Sequence, residues 1–150
     1  MKTFIVILMS MCVMVPVLAR QGFSEYPTRT PNVRFVSLPV YIDSGSKALA
    51  AYQFELKTTK GQIKIVGVEN GEPPAFAQPP YYDPAALAHD RIIIAAFNTG
   101  KNLPTGRTRV TTLQLQIIGQ TEPQYQLDLT VAADADGNKI PAEITFDKGE

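Results

Sequence analysis

The alternation of apolar and polar side chains along the chain predicts several short β-strands. In residues 52–57 every second residue is apolar, and the residues between them are polar or charged. Successive side chains of a strand point to opposite faces, so this period of two indicates a strand with one buried face. The same pattern predicts strands at 113–117, 124–131 and 140–146. In 124–131 it places Val131 on the buried face, together with Tyr125, Leu127 and Leu129.

Residues 33–43 and 62–68 are also predicted as strands, although their alternation is less regular. The run 91–97 differs, because after Arg91 it contains only apolar residues. A continuous apolar run indicates a strand whose two faces are both buried or half-covered, so we expect it at the centre of a sheet. One helix of one or two turns is predicted at 83–89, where Asp83 can cap the first turn and Pro84 fits the first helical position.

Glycine, proline, asparagine, aspartate and serine mark the turns between these runs, at 44–46, 60–61, 70–71, 104–106 and 136–138. Many short strands separated by such turns, with almost no helix, indicate an all-β fold of the sandwich or barrel type. The longest irregular segment is 72–83, which is rich in proline. A loop of this length within a compact domain is often functional.

The N-terminal residues have the pattern of a secretory signal peptide. Lys2 precedes an apolar run at 4–17, and a small residue, Ala19, ends a cleavage motif. A membrane anchor is the alternative, but a helix needs about 20 apolar residues to cross a bilayer, and Pro16 interrupts this shorter run. We therefore predict a signal peptide at 1–19, a flexible leader at 20–32 and one domain at 33–150. The protein would be exported, to the periplasm or the extracellular space, and would not remain in a membrane after cleavage.

Charge and chemistry exclude several classes of function. The chain has 14 basic and 14 acidic residues, which gives no electrostatic reason to expect nucleic acid as a partner. The single cysteine, Cys12, would leave with the signal peptide, so no disulfide is expected. The single histidine, His89, has no cysteine partner, and no serine lies in a nucleophile elbow. No two carboxylates are marked as a catalytic pair. The sequence predicts a protein that is not an enzyme and has no cofactor, with calcium as the one possible exception.

Three aromatic residues of the proline-rich segment are the candidate contact residues: Phe76, Tyr81 and Tyr82. Aromatic side chains on a loop stiffened by proline can anchor a protein partner or stack on a sugar ring, since they bury much area at a small entropic cost. The alternative is that they fold back as a lid over one end of the sandwich.

The segment 134–138 is a second candidate site. Asp134, Asp136 and Asn138 bring carboxylate and amide oxygens together around a glycine, and these are the ligands that Ca²⁺ prefers. The alternative is a hairpin turn between two strands, for which Asp-Gly and Gly-Asn are strong signatures. An EF-hand loop would also need a glutamate at its twelfth position, where Thr145 stands.

The order of these segments resembles that of bacterial cohesin modules, the receptor modules of cellulosomes. The resemblance rests on LPVYID at 38–43, ALAAYQFEL at 48–56, IKIVGV at 63–68, RIIIAAF at 91–97, LPTG at 103–106, VTTLQLQI at 110–117 and DGNKIPA at 136–142. It implies a nine-stranded antiparallel sandwich with jelly-roll topology, related in fold to cellulose-binding modules. Cohesins hold dockerin modules on one sheet face, and some sandwiches of this group carry calcium.

The leading hypothesis is therefore a secreted, non-catalytic, cohesin-like module that recruits a protein partner, dockerin-like or other, through a sheet face. One alternative is a carbohydrate-binding module that binds polysaccharide through Tyr81 and Tyr82. The other is a structural component of an envelope or matrix.

Overall fold

The computed structural model describes residues 32–148, which form two antiparallel β-sheets of four strands each. The strands are β1 (Val33–Asp43), β2 (Ala51–Lys60), β3 (Gln62–Glu69), β4 (Tyr81–Tyr82), β5 (Arg91–Phe97), β6 (Arg107–Ile118), β7 (Gln124–Ala133) and β8 (Glu143–Phe146). The first sheet has the order β3-β6-β1-β8, and the second has the order β4-β5-β2-β7. The predicted β-sandwich with jelly-roll topology is confirmed, with eight strands in residues 32–148 instead of about nine. The predicted signal peptide lies outside the described residues.

The core lies between the two sheets and is built from the inward side chains of both. In β2 the predicted alternation is confirmed, because Tyr52, Phe54 and Leu56 are almost fully buried. They meet aliphatic side chains from the neighbouring strand and from the opposite sheet: Leu38, Val40, Ile42, Ile92, Ile94, Leu113, Leu115 and Ile117. Burial of apolar surface contributes about 25 cal/mol per Å², so this continuous cluster is the main source of stability.

A β-bulge in β7 reverses the side to which its last residues point. Gln53 of β2 pairs with Val131, but the next residue, Phe54, pairs with Leu129, so Thr130 is an extra residue on β7. An extra residue shifts the period of two by one position. As a result Ala132 is buried, whereas Val131 is 40% exposed on the outer face. The prediction that Val131 faces the core is wrong for this reason.

Strand β5 lies inside the second sheet, between β4 and β2, but only one of its faces is covered. Ile92 and Ile94 are buried, whereas Ile93 is 47% exposed and Phe97 is 67% exposed. The predicted position inside a sheet is confirmed. The outer face of the run is more exposed than the buried or half-covered face that we expect, because the second sheet packs against the first on one side only. The continuous apolar run therefore supplies both the core and an exposed surface.

The proline-rich segment crosses the open end of the sandwich and then joins the second sheet. It contains a single-turn 3₁₀ helix, Pro74–Phe76, and the short strand β4. The helix predicted at 83–89 is a second single 3₁₀ turn, Pro84–Ala86, which Asp83 caps by accepting a hydrogen bond from the Ala85 N–H at 2.9 Å. In residues 32–148 no helix has the length and apolar character needed to cross a membrane.

Candidate binding face

The outer surface of the second sheet carries a group of exposed apolar side chains from three strands. We call the surface formed by Tyr81, Ile93, Ala95, Phe97 and Val131 the apolar face. Gln53 of β2 lies between Ala95 and Val131 on this surface. Tyr81 pairs with Ala95 in the sheet, and directly paired residues point to the same side. Four of these five residues are large and at least 40% exposed. A group of exposed apolar side chains on one surface marks an interaction site more often than isolated exposed residues do.

The largest feature of the apolar face is a pair of stacked aromatic rings. The rings of Tyr81 and Phe97 have centroids 6.0 Å apart and planes within 11° of each other. Each residue is 67% exposed. Such pairs contribute about 0.5–1.5 kcal/mol beyond the area that they bury. Because each ring is fixed by a paired strand as well as by its neighbour, the two rings form a preorganised contact surface.

The opposite end of the same sheet face is charged. Glu55 lies directly across from Asp128, and Lys57 lies directly across from Arg91. The Arg91 guanidinium donates a hydrogen bond to the Glu55 carboxylate, which lowers the pKa of Glu55 below its usual value. Asp128 accepts hydrogen bonds from the Gln126 side chain at 3.0 and 3.1 Å. The sheet face therefore changes from apolar to charged along the direction of its strands.

A groove of about 480 Å³ opens beside β5, between that strand and the segment that carries the second 3₁₀ helix. Tyr81, Ile93 and Ala95 of the apolar face form part of its lining, so the groove is continuous with that face. Asp83 and Ala86 lie along its other side. The site thus combines a flat surface with one concave feature at its border.

The structure separates the three aromatic residues that were predicted as contact residues. Phe76 is 3% exposed and packs edge-to-face against the ring of Tyr52, with centroids 5.1 Å apart. Tyr82 is half-buried and packs against the core. Only Tyr81 is well exposed. The lid interpretation therefore describes Phe76, which has no surface to offer to a partner and is excluded from the candidate site.

Sequence reasoning did not find Ile93, Phe97 or Val131 as parts of a site. Ile93 and Phe97 lie in a run without polar residues, so the pattern contained no sign of which positions face outward. The one available signal is their even spacing from Arg91, a residue expected to be exposed, since every second residue of a strand points to the same face. Val131 was assigned to the core because the bulge at Thr130 cannot be seen in the period of the sequence.

The segment 134–138 forms a tight hydrogen-bonded turn after β7. Asp134 Oδ1 accepts hydrogen bonds from the N–H groups of Asp136 and Asn138, at 3.0 and 2.9 Å. These donors hold the pKa of Asp134 below its usual value, with Asn138 contributing most. Gly137 takes the positive φ of +82° that the turn needs. The turn closes on a single antiparallel bridge between Ala133 and Lys139, whereas β7 and β8 lie in different sheets, so the predicted tight turn is present without a hairpin of two paired strands. Calcium binding by Asp134, Asp136 and Asn138 stays a prediction.

Comparisons with known proteins show the fold of the chain. No protein-family model matches the chain, and no curated protein matches it. Among solved structures the chain is similar to a non-cellulosomal cohesin from the hyperthermophilic archaeon Archaeoglobus fulgidus, with a TM-score of 0.54 and 15% sequence identity. The match covers 74% of this chain and 75% of the archaeal one. The domain therefore has a cohesin-like fold.

The comparison confirms the predicted resemblance at the level of the fold. At 15% identity the likeness concerns the arrangement of the strands, not their individual residues. The similar structure is archaeal and non-cellulosomal, so the bacterial and cellulosome-type parts of the prediction are not confirmed. What the face binds has to be argued from its own chemistry.

Proposed function

We propose that this protein is an exported, non-catalytic module that recruits a protein partner through the apolar face. The observation that carries the proposal is the stacked pair of Tyr81 and Phe97, which is exposed on the same sheet face as Ile93 and Val131. The cohesin-like fold supports a role in protein–protein interaction.

The exposed side chains of the apolar face favour binding for two reasons: covering them with a partner lowers the free energy, and the strands that carry them are rigid. Exposed aromatic and aliphatic groups gain about 25 cal/mol for each Å² of apolar area that a partner covers. The binding energy of protein interfaces is concentrated in a few such residues, with aromatic ones enriched. Since paired strands already hold the backbone of Ile93 and Phe97 in place, little backbone conformational entropy is lost on binding.

A capture experiment with two matched variants tests the proposal. Immobilised protein would be exposed to proteins from the source organism, and Ile93→Asp would be compared with Phe35→Asp. Phe35 is 69% exposed and lies on β1 in the first sheet, so it controls for the loss of any exposed apolar residue. We expect one defined partner to bind the unmodified protein and Phe35→Asp, and to be lost with Ile93→Asp. Equal retention by all three proteins would remove the apolar face from the interaction.

Polysaccharide is a second candidate ligand, because two nearly parallel exposed rings such as Tyr81 and Phe97 can also stack on sugars. Retention on insoluble polysaccharides, lost in a Tyr81→Ala and Phe97→Ala double variant, would favour this function over protein recruitment. A protein that binds no glycan but captures one defined protein would exclude it.

Export is part of the proposal and rests on the apolar run that precedes Ala19. Expression of the full chain in a host that secretes proteins, followed by N-terminal sequencing, tests it. We expect the mature protein to begin at Arg20 and to be found outside the cytoplasm. An intact N-terminus on protein that stays in the cytoplasm would contradict export.

A further inference from the structure

We propose that the groove beside β5 receives one apolar side chain of the protein partner, and that a lysine or arginine next to this side chain pairs with Asp83. This inference rests on the proposed function and specifies the chemistry of the partner. It concerns the groove alone, so it can fail while the apolar face still binds a protein.

The shape and lining of the groove indicate an apolar occupant of limited size. Its volume of about 480 Å³ lies in the range of pockets that accept small ligands, so it has room for a large apolar side chain together with the stem of a neighbouring lysine or arginine. Tyr81 and Ile93 are the large exposed apolar side chains of its lining, and they are 67% and 47% exposed. An apolar group in the groove would cover both of them. Because both also belong to the apolar face, a partner on that face lies beside the groove mouth.

The charges at the groove indicate a cation beside the apolar group. Two ionised side chains line it, Asp83 and Arg91. The guanidinium of Arg91 already forms an ion pair with Glu55 on β2. No basic side chain within residues 32–148 forms an ion pair with Asp83. Asp83 therefore carries the uncompensated charge of the lining, and complementarity favours a positively charged neighbour.

The position of the Asp83 carboxylate is fixed before any partner arrives. Its Oδ1 atom accepts the hydrogen bond from the Ala85 N–H that caps the second 3₁₀ helix, at 2.9 Å. The preceding residue, Tyr82, is paired with Ile94 in the sheet. A carboxylate held at both its backbone and its side chain loses little conformational entropy on forming an ion pair, which favours a defined contact.

Three small probes of equal chain length can test the groove in the whole protein by NMR. These are n-hexylammonium, n-hexanol and hexanoate, each titrated at neutral pH into protein with labelled isoleucine and alanine methyl groups. We expect each probe that binds to the groove to shift the methyl signals of Ile93, Ala86 and Ala95. An exposed ion pair contributes a free energy that corresponds to a factor of about 1.5 to 5 in affinity. Hexylammonium should therefore bind about 1.5 to 5 times more tightly than hexanol, and hexanoate more weakly than either.

Two isosteric variants separate the role of Asp83 from a general effect of charge. Asp83→Asn keeps an oxygen for the helix cap and should abolish the preference for hexylammonium over hexanol. Asp128→Asn also removes one negative charge, but from the outer face of the second sheet and outside the groove lining. It should leave the preference for hexylammonium over hexanol intact. The inference is overturned if no probe shifts the groove signals, if hexanoate binds as tightly as hexylammonium, or if both variants lose the preference equally. In each of these cases the capture experiment, repeated with Phe97→Asp on the apolar face outside the groove lining, decides the proposed function separately.

Discussion

Replacement of Phe76 by alanine tests whether the proline-rich segment is anchored in the core. The Phe76 ring is 3% exposed and makes an edge-to-face contact with Tyr52 at 5.1 Å. Replacing a buried phenylalanine with alanine costs about 3–5 kcal/mol, through lost transfer free energy and the cavity that remains. The lost aromatic contact, worth about 0.5–1.5 kcal/mol, is already contained in this total. We therefore expect the free energy of unfolding to fall by about 4 kcal/mol.

Urea denaturation followed by circular dichroism measures this change, with Phe35→Ala as the control. Phe35 has the same side chain but is 69% exposed, and replacements at such positions usually change stability by less than about 0.5 kcal/mol. The total stability of a domain is about 5–15 kcal/mol, so the midpoint for Phe76→Ala should be much lower while a folded baseline remains measurable. The dependence of the unfolding free energy on urea should be similar in both variants, since both unfold the same core.

A loss of less than about 1 kcal/mol in Phe76→Ala would refute this reasoning. It would mean that the ring is not held in the core in solution, and Phe76 would return as a candidate contact residue. A loss of the same size in Phe35→Ala would show that the loss of stability does not depend on burial of the ring. The predicted difference between the two variants is therefore the decisive quantity.

Three further predictions concern other parts of the sandwich. Tyr52→Phe removes the buried hydrogen bond from the Tyr52 hydroxyl to the Val110 carbonyl, at 3.0 Å, and should lower the free energy of unfolding by about 1–2 kcal/mol. Burial raises the pKa of Tyr52 in the folded protein, so above about pH 10 the hydroxyl ionises more readily in the unfolded chain. The unmodified protein should therefore lose stability above this pH, and the variant should lose less. Gly71→Ala should cost about 1–3 kcal/mol, because the added Cβ would lie 2.8 Å from the Val110 carbonyl oxygen, whereas Gly67→Ala, with its nearest contact at 3.4 Å, should cost less in the same urea titration. Asp134→Ala should lower the melting temperature at pH 7, because the Asp134 carboxylate accepts the hydrogen bonds that hold the turn. These bonds lower the pKa of Asp134, so the unmodified protein should lose their stabilising contribution as the pH falls below about 4. A chelator should leave the melting temperature unchanged, and a clear decrease would instead support calcium binding.

The candidate site shows where reasoning from local patterns succeeds and where it stops. Tyr81 was found because a tyrosine beside prolines in a long loop is unusual whatever the fold. Tyr81 and Phe97 are 16 positions apart in the sequence, and their contact depends on the pairing of β4 with β5. Phe76 and Tyr81 belong to the same proline-rich segment, yet one is buried and the other exposed. Composition does not distinguish Phe76 from Tyr81, because the difference in their exposure depends on which part of the segment packs against the core.

The sequence by itself determined the class of the fold and the identity of most strands. Alternation with a period of two is a local property, since it follows from the geometry of one extended chain with one face in the core. It therefore identified β2 and the inward side of β6 without knowledge of their partners.

Only the tertiary structure decided which apolar residues remain exposed and how they meet. Val131 faces outward because one extra residue, Thr130, shifts the pairing of β7 with β2. Ile93 points outward because it alternates with the buried Ile92 and Ile94, and it remains 47% exposed because no further sheet covers that side within residues 32–148. Both facts depend on register and on the contacts between strands that are distant in the sequence. A surface composed of several strands is a property of their pairing, and the pairing is fixed by the packing of the whole core.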